Sequence, residues 1–379
     1  MSVQRQILLN NNPGKPNLNS DSKFKSWYFL FGLILLLVGM GLNILLASTT
    51  YLGRVSFGDP FHYVKKQAVF IFLGIVVFFI FSHLSYHIWK KLAWPIYFLS
   101  LILLLLVFIP GVGHKAGGAS RWIHILGLSI QPSDIAKFAV ILVLARIADP
   151  HEFLQWKQSV VAIFVVALPI LLIAVEPDLG TALHLLATSG IFLLFIGISI
   201  PVLATSALIT LPLLFYSLSM VTYRWNRIKA FLNPWEYRFQ EAYQLIASYK
   251  SFLAGGLWGQ GLGEGFRRHN LQARHTDFIL AIVAEDLGFF GIAIVLILYV
   301  IISVYALLML KNVEVKFGRL LGTGIILLFS VQALINVAVT MGVLPTTGIN
   351  LPLFSYGGTS ALTYLGMMGI VVNVLKEDA

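Results

Sequence analysis

Apolar residues run along this chain in long unbroken stretches, not in the alternation of half-buried strands. Ten runs stand out: Trp27 to Ala47, Gln67 to Phe81, Leu92 to Ile109, Asp134 to Ala148, Ser159 to Val175, Gly180 to Ile196, Pro201 to Met220, Phe278 to Leu310, Arg319 to Met341 and Phe354 to Leu375. A helix of about 20 apolar residues crosses roughly 30 Å of hydrocarbon, and lipid admits only helices or closed barrels as spanning structures. The runs are too continuous for the dyad pattern of barrel strands. The pattern therefore predicts an all-α integral membrane protein of about ten transmembrane helices. The second and fourth runs are short and flanked by polar residues, which leaves counts of eight or nine open.

Composition points the same way. Of 379 residues, 58% are apolar and 11% charged, with mean hydropathy +0.86, whereas an ordinary soluble domain is about one quarter charged. An ordinary soluble protein is excluded, and no nucleic-acid partner is expected. The polar residues collect in two places. Residues 1–25, rich in Asn, Pro and Ser, predict a disordered tail ahead of a polytopic membrane domain over 26–379. No small-residue cleavage site follows the first apolar run, so a removable signal peptide is not expected. The second polar stretch, 221–276, is the one large loop, with eight Lys and Arg against three Glu. The distribution of Lys and Arg among the short loops places both termini in the cytoplasm and this loop outside. The chain has no cysteine, which removes thiolate chemistry and disulfides.

Inside the loop, cations interleave with aromatics, as in Tyr223-Arg224-Trp225-Asn226-Arg227 and Asn233-Pro234-Trp235-Glu236-Tyr237. Arginine pairs well with phosphate, and aromatic faces pack on sugar rings and lipid backbones. A phosphorylated, sugar-bearing lipid satisfies both; contact with anionic headgroups is the plainer alternative. Apolar residues recur at helical spacing over Trp225 to Leu232 and Ala242 to Leu253, which predicts two amphipathic helices on the membrane surface. Six glycines between Gly255 and Gly265 match no nucleotide fingerprint and read as a hinge in preference to an anion-binding nest.

Ionisable residues within or beside apolar runs are costly and usually face a cavity or a partner. Asp134 and Lys137 stand at i and i+3, where they can neutralise each other. In Glu176-Pro177-Asp178, Asp178 suits the cap of the sixth span. Glu285 lies about 12 Å along the helix from Asp277, too far to share one reaction centre. Asp277 closes the basic loop at the mouth of a long apolar run. It suits a general acid or base, and it equally suits a helix cap; the two roles are compatible. The histidines show no metal-ligand spacing, so no metal site is expected from protein ligands.

Several stretches resemble the SEDS (shape, elongation, division, sporulation) membrane glycosyltransferases of bacterial cell-wall synthesis. They are Gly118-Ala119-Ser120-Arg121-Trp122-Ile123, Gln131-Pro132-Ser133, Glu176-Pro177-Asp178-Leu179-Gly180-Thr181, Tyr243-Gln244-Leu245, His275-Thr276-Asp277-Phe278, Gly342-Val343-Leu344-Pro345-Thr346-Thr347-Gly348 and Ser355-Tyr356-Gly357-Gly358. Asn233-Pro234-Trp235-Glu236 and Gly256-Leu257-Trp258-Gly259-Gln260-Gly261-Leu262-Gly263 look more like the division branch, FtsW, than the elongation branch, RodA. Two departures are Asp134, where the family usually has Glu, and Leu271-Gln272-Ala273, where it usually has Leu-Pro-Glu. The resemblance implies polymerisation of lipid II, an undecaprenyl-pyrophosphate-linked disaccharide-peptide, into glycan strands at the outer face of the bacterial cytoplasmic membrane. It also implies a class B penicillin-binding protein and other division proteins as partners.

On this reading Asp277 is the catalytic base. Arg224, Arg227 and Lys137 meet the pyrophosphate, and Arg121, His275, Glu176 and Asp178 complete the substrate-binding set. A divalent cation, Mg²⁺ or Mn²⁺, is left open as a cofactor. A lipid-linked precursor flippase, an elongation-type (RodA-like) polymerase and a scaffold for division proteins stay open as alternatives, since buried polar groups among many spans suit transport as well.

Overall fold

A computed structural model describes residues 20–378, except 112, 117–118, 126–127, 177, 220–221, 266–270 and 272; it leaves out the side chains of 20–26, 114–120, 125, 128, 207, 209, 211, 213–219, 222–224 and 378. The helices are α1 (Ser20–Phe57), α2 (His62–His83), α3 (His87–Leu106), α4 (Pro132–Ala148), α5 (Trp156–Val175), α6 (Leu179–Phe195), α7 (Ile200–Ser219), α8 (Thr222–Leu232), α9 (Tyr243–Gly255), α10 (Ile279–Leu310), α11 (Lys316–Thr340) and α12 (Gly358–Asp378). Each of the ten apolar runs carries one helix, and α8 and α9 stand where amphipathic spacing predicted the loop helices. Among the described residues, seven of these helices, α1, α2, α3, α5, α10, α11 and α12, contain stretches long and apolar enough to cross a membrane. The chain is a multi-pass membrane protein.

Burial sorts the helices into centre and rim. In the most apolar stretch of α12, 83% of residues are buried, and in α11 72%, whereas α2 buries 22% and turns Val69, Phe72 and Ile80 outward. Lipid is as apolar as leucine, so close packing and not hydrophobic drive brings such helices together, and small residues permit it. At the α2–α12 contact, a Cβ on Gly369 would overlap the carbonyl oxygen of Phe78, and one on Gly74 would press on Leu365.

The described residues between 113 and 130 fold differently from the helices. Here β1 (Gly113–Ala116), β2 (Ala119–Ile125) and β3 (Leu128–Ile130) form a small antiparallel sheet in the order β1-β2-β3, with His124 opposite Ser129 and Ile123 opposite Ile130. No apolar run announces it. The alternation in Trp122-Ile123-His124-Ile125 is too short to stand out against neighbouring helical hydropathy.

The glycine run is not a free hinge. Helix α10 breaks at Gly288 (φ 65°, ψ −161°), a backbone state that only glycine adopts without strain. The break frees polar backbone groups, and the glycine run satisfies them. Gln260 and Gly261 donate N–H to the carbonyls of Glu285 (2.9 Å) and Asp286 (3.0 Å), while Phe289 N–H donates to Gly256 O (2.9 Å). A Cβ on Gly255 or Gly259 would overlap the Ala284 or Asp286 carbonyl oxygen, so the glycines form a close-packed seam, and the amides an anion nest would use are engaged. Helix α9 also differs from a helix laid on the membrane surface. Its Leu245, Ile246, Ser248 and Ser251 are buried, Ser248 Oγ donates to Thr340 O (2.8 Å), and Ser251 Oγ donates to Glu285 Oε2 (3.0 Å).

Candidate active site

Asp277 is the last residue but one before α10. The position that would cap α10 is Phe278, and no side chain bonds there, so Asp277 is not spent as a helix cap. Its backbone is fixed from a different helix. Asn336 Nδ2 on α11 donates to the Asp277 carbonyl (2.8 Å) and to the Ile349 carbonyl (2.7 Å), and Thr340 Oγ1, one turn on, reaches Asp277 O at 3.5 Å. With Gln332 one turn earlier, these polar residues recur at i, i+4 and i+8 along one face of a membrane helix. Charged residues alone drew attention in the sequence; this neutral stripe was the signal available for Gln332 and Asn336.

The partly buried Asp277 side chain lines a cavity of about 540 Å³, within the range of small-molecule sites, roughly 300–1,000 Å³. Its walls come from Lys66 and Phe70 of α2, Trp122, His124 and Ser129 of the sheet, Asp134 and Lys137 of α4, Thr181 and His184 of α6, Gln332 of α11, Gly348 to Asn350, and Tyr356 to Gly358. Gly348 lies against the carboxylate: a Cβ there would stand 3.7 Å from Asp277 Oδ2. Burial pushes Asp277 up to about 6. Arg227 and, more weakly, Arg121 and a hydrogen bond from Thr276 pull it down, while Asp178 adds to the rise. A carboxylate with that proton affinity is ionised at neutral pH and still basic enough to accept a proton.

Lys137 and Asp134 form an ion pair at 2.8 Å, nearly enclosed. Lys137 Nζ also donates to Gln332 Oε1 (3.0 Å), which takes a second bond from Tyr364 OH (2.7 Å), and Gln332 Nε2 donates to Asn350 O (3.0 Å) and Oδ1 (2.8 Å). The lysine is therefore a strut between α4, α11 and the 348–350 segment, and its charge is largely balanced where it stands.

Asp178 caps α6, accepting from Thr181 N (3.2 Å), Thr181 Oγ1 (2.9 Å) and Gln131 Nε2 (3.2 Å), with Arg121 Nη1 at 4.0 Å. Glu176 is buried and pushed up to about 8, first by burial and then by Asp178, against the pull of Arg121. It is a neutral acid at physiological pH. Arg227 Nη1 on α8 donates to Thr346 O (3.2 Å), which holds the loop helix against the 342–350 segment within electrostatic reach of Asp277.

The structure thus gathers Asp277 and Lys137 on one cavity, with Arg121, Arg227, Asp178 and Glu176 around them. His275 stands apart. Its ring lies between Tyr63 (5.0 Å) and Tyr356 (5.7 Å), and burial, then Arg274, pushes it down to about 4, so it is neutral and outside the cavity lining. The side chain of Arg224, on α8, lies outside the described residues.

Comparison with known proteins agrees over nearly the whole chain. The family model for the FtsW/RodA/SpoVE cell cycle proteins matches residues 28–379. A probable peptidoglycan glycosyltransferase FtsW from Geobacter metallireducens is 37% identical, covering 91% of this chain and 94% of its own; one from Trichlorobacter lovleyi is 36% identical, covering 90% and 91%. Stage V sporulation protein E of Bacillus subtilis is 32% identical over 90% of this chain and 94% of its own. Among solved structures, a chain of a peptidoglycan synthase complex that coordinates polymerisation and crosslinking superposes with TM-score 0.76 at 27% identity, over 92% of this chain and 97% of that one. Thermus thermophilus RodA superposes with TM-score 0.69 at 25% identity, over 93% and 97%. From residue 28 to its end, the chain belongs to the FtsW/RodA/SpoVE family of cell cycle proteins.

Proposed function

We propose that this chain is a peptidoglycan glycosyltransferase of the division type, polymerising lipid II into glycan strands at the outer face of the bacterial cytoplasmic membrane, with both termini in the cytoplasm. A class B penicillin-binding protein supplies the crosslinking activity beside it. The observation that carries this reading is Asp277. Its carboxyl, raised to about 6 by burial, stands on a cavity wall with two arginines in electrostatic reach.

The acceptor sugar hydroxyl gives its proton to Asp277 as its oxygen attacks the anomeric carbon of the donor. The bond from that carbon to the pyrophosphate breaks, with inversion. The pyrophosphate leaves as an anion and needs electrostatic stabilisation, not protonation. Arg121 and Arg227 suit that role, and Arg224 is a further candidate from its place in the sequence, while Lys137 acts from within its ion pair with Asp134. Glycoside hydrolysis, by contrast, needs paired carboxylates; here Asp134 is held in its ion pair with Lys137 and Asp178 caps α6, which leaves Asp277 to act as the base. Asp178 fixes the start of α6 and orients Arg121. Among the described residues no three His, Asp or Glu side chains are placed so as to hold a metal ion, so Mg²⁺ or Mn²⁺, where it takes part, would be carried chiefly by substrate phosphates.

The test is reconstitution of the purified chain with its penicillin-binding partner, supply of lipid II, and detection of glycan chains. No polymer from the wild-type pair sinks the reading. Arg227→Gln should raise the lipid II concentration needed for half-maximal rate, and an unchanged requirement removes Arg227 from the pyrophosphate site.

A further inference from the structure

We propose that Trp122, assisted by His124, is a pyranose-stacking subsite on the sheet wall of the Asp277 cavity. It rests on the glycosyl-transfer reading above and adds to it the place where a sugar ring lies. Side chains alternate along a strand, and β2 uses the alternation to separate two tasks. Arg121 and Ile123 turn into the protein, the first toward Asp178 at 4.0 Å, the second 4% exposed in the core. Trp122 and His124 turn to the cavity.

A large flat apolar surface is out of place here on packing grounds alone. This protein has ample apolar core and lipid-facing surface for indoles, yet Trp122 is half-buried in a cavity whose polar lining includes Gln131, Ser129 and Asn350. Among the described residues, no aromatic ring or cation lies against its indole. A sugar ring needs that combination, since its C–H face packs on an aromatic plane while its hydroxyl and acetamido groups seek polar partners. The wall is also braced. His124 Nε2 lies 3.0 Å from Ser129 Oγ across the β2–β3 pair, and Thr359 Oγ1 on α12 donates to Ser129 O at 2.7 Å. A platform held in this way loses little freedom when a ligand settles on it.

The probe for binding is a soluble β-1,4-linked N-acetylglucosamine tetramer, titrated into the full-length chain in lipid nanodiscs while intrinsic fluorescence is read. Saturable quenching is expected in the wild type, and it should vanish in Trp122→Phe, which keeps a ring but removes the fluorophore. In the polymerisation assay, Trp122→Ala should raise the KM for lipid II about tenfold, the equivalent of about 1.4 kcal/mol, with kcat within about twofold, and Trp122→Phe should recover most of that loss. Absence of quenching in the wild type, quenching undiminished in Trp122→Phe, or an unchanged KM in folded Trp122→Ala each overturn the subsite. If Trp122→Ala does not fold, the Trp122→Phe titration decides alone. A chain that shows Trp122-dependent quenching but makes no glycan keeps the subsite and loses the glycosyltransferase reading; a chain that polymerises without quenching does the reverse.

Discussion

Replacing Asp277 by Asn separates catalysis from folding in one substitution. The amide keeps the shape of the side chain but cannot accept a proton, so polymerisation should fall by about 10²-fold or more, the range for a removed general base. The same change should make the protein more stable at neutral pH. Folding raises Asp277 from its ordinary 3.8 to about 6, so the folded state holds the proton more tightly than the unfolded chain does. Between those values stability falls as pH rises, and above about 6 the full penalty is present. Its ceiling is about 3 kcal/mol, at 1.36 kcal/mol per tenfold change in proton affinity, and partial solvation of the carboxylate reduces it. Thermal melts of wild type and Asp277→Asn in detergent should therefore coincide near pH 4 and separate by pH 7.5, with the variant higher. The wild-type rate should be half-maximal near pH 6 and about one tenth of its plateau at pH 5. Near-normal glycan synthesis by a folded Asp277→Asn, or an acid limb centred near pH 4, would refute the assignment and the burial argument respectively.

Asn336→Ala releases the carbonyls of Asp277 and Ile349, so kcat should drop by about tenfold or more while KM holds, and the acid limb should slide toward the ordinary carboxylate value; an unmoved limb would make Asn336 merely structural. Lys137→Met leaves Asp134 enclosed without a counter-charge and should cost about 3–5 kcal/mol, largely restored in the double variant with Asp134→Asn; melts in detergent read both. Gly259→Ala and Gly261→Ala both strain a positive-φ backbone (+81° and +105°), but the first also sets a Cβ onto the Asp286 carbonyl while the second meets only the flexible Glu264 side chain, so Gly259→Ala should lower the melting temperature more. A single cysteine at Gln272 should react with a membrane-impermeant thiol reagent in intact cells whose outer membrane, where present, is permeabilised, while one at Asn312 should not; the opposite pattern inverts the topology.

Features carried by local periodicity were legible in the sequence. Ten apolar runs became ten helices, the i, i+3 spacing of Asp134 and Lys137 became an ion pair at 2.8 Å, and Asp178 caps α6. Features made by residues far apart in the chain were not. Asn336 lies 59 residues from Asp277, and nothing near either residue marks the bond between them. Capping was a fair alternative for Asp277 because a carboxylate before a helix usually caps it; the tether to α11 uses its carbonyl and leaves the carboxylate to the cavity. The glycine run misled for a related reason. A hinge and a close-packed seam require the same small residue, and only the broken backbone of α10 distinguishes them.

That seam makes residues 255–261 and 284–290 a single unit for anyone recombining related chains. A graft that takes the loop from one parent and α10 from another separates amides from the carbonyls they satisfy. Chimeras cut within 221–254 avoid that mismatch. Cuts between 262 and 284 should give protein that is degraded or misassembled even when every catalytic residue is retained.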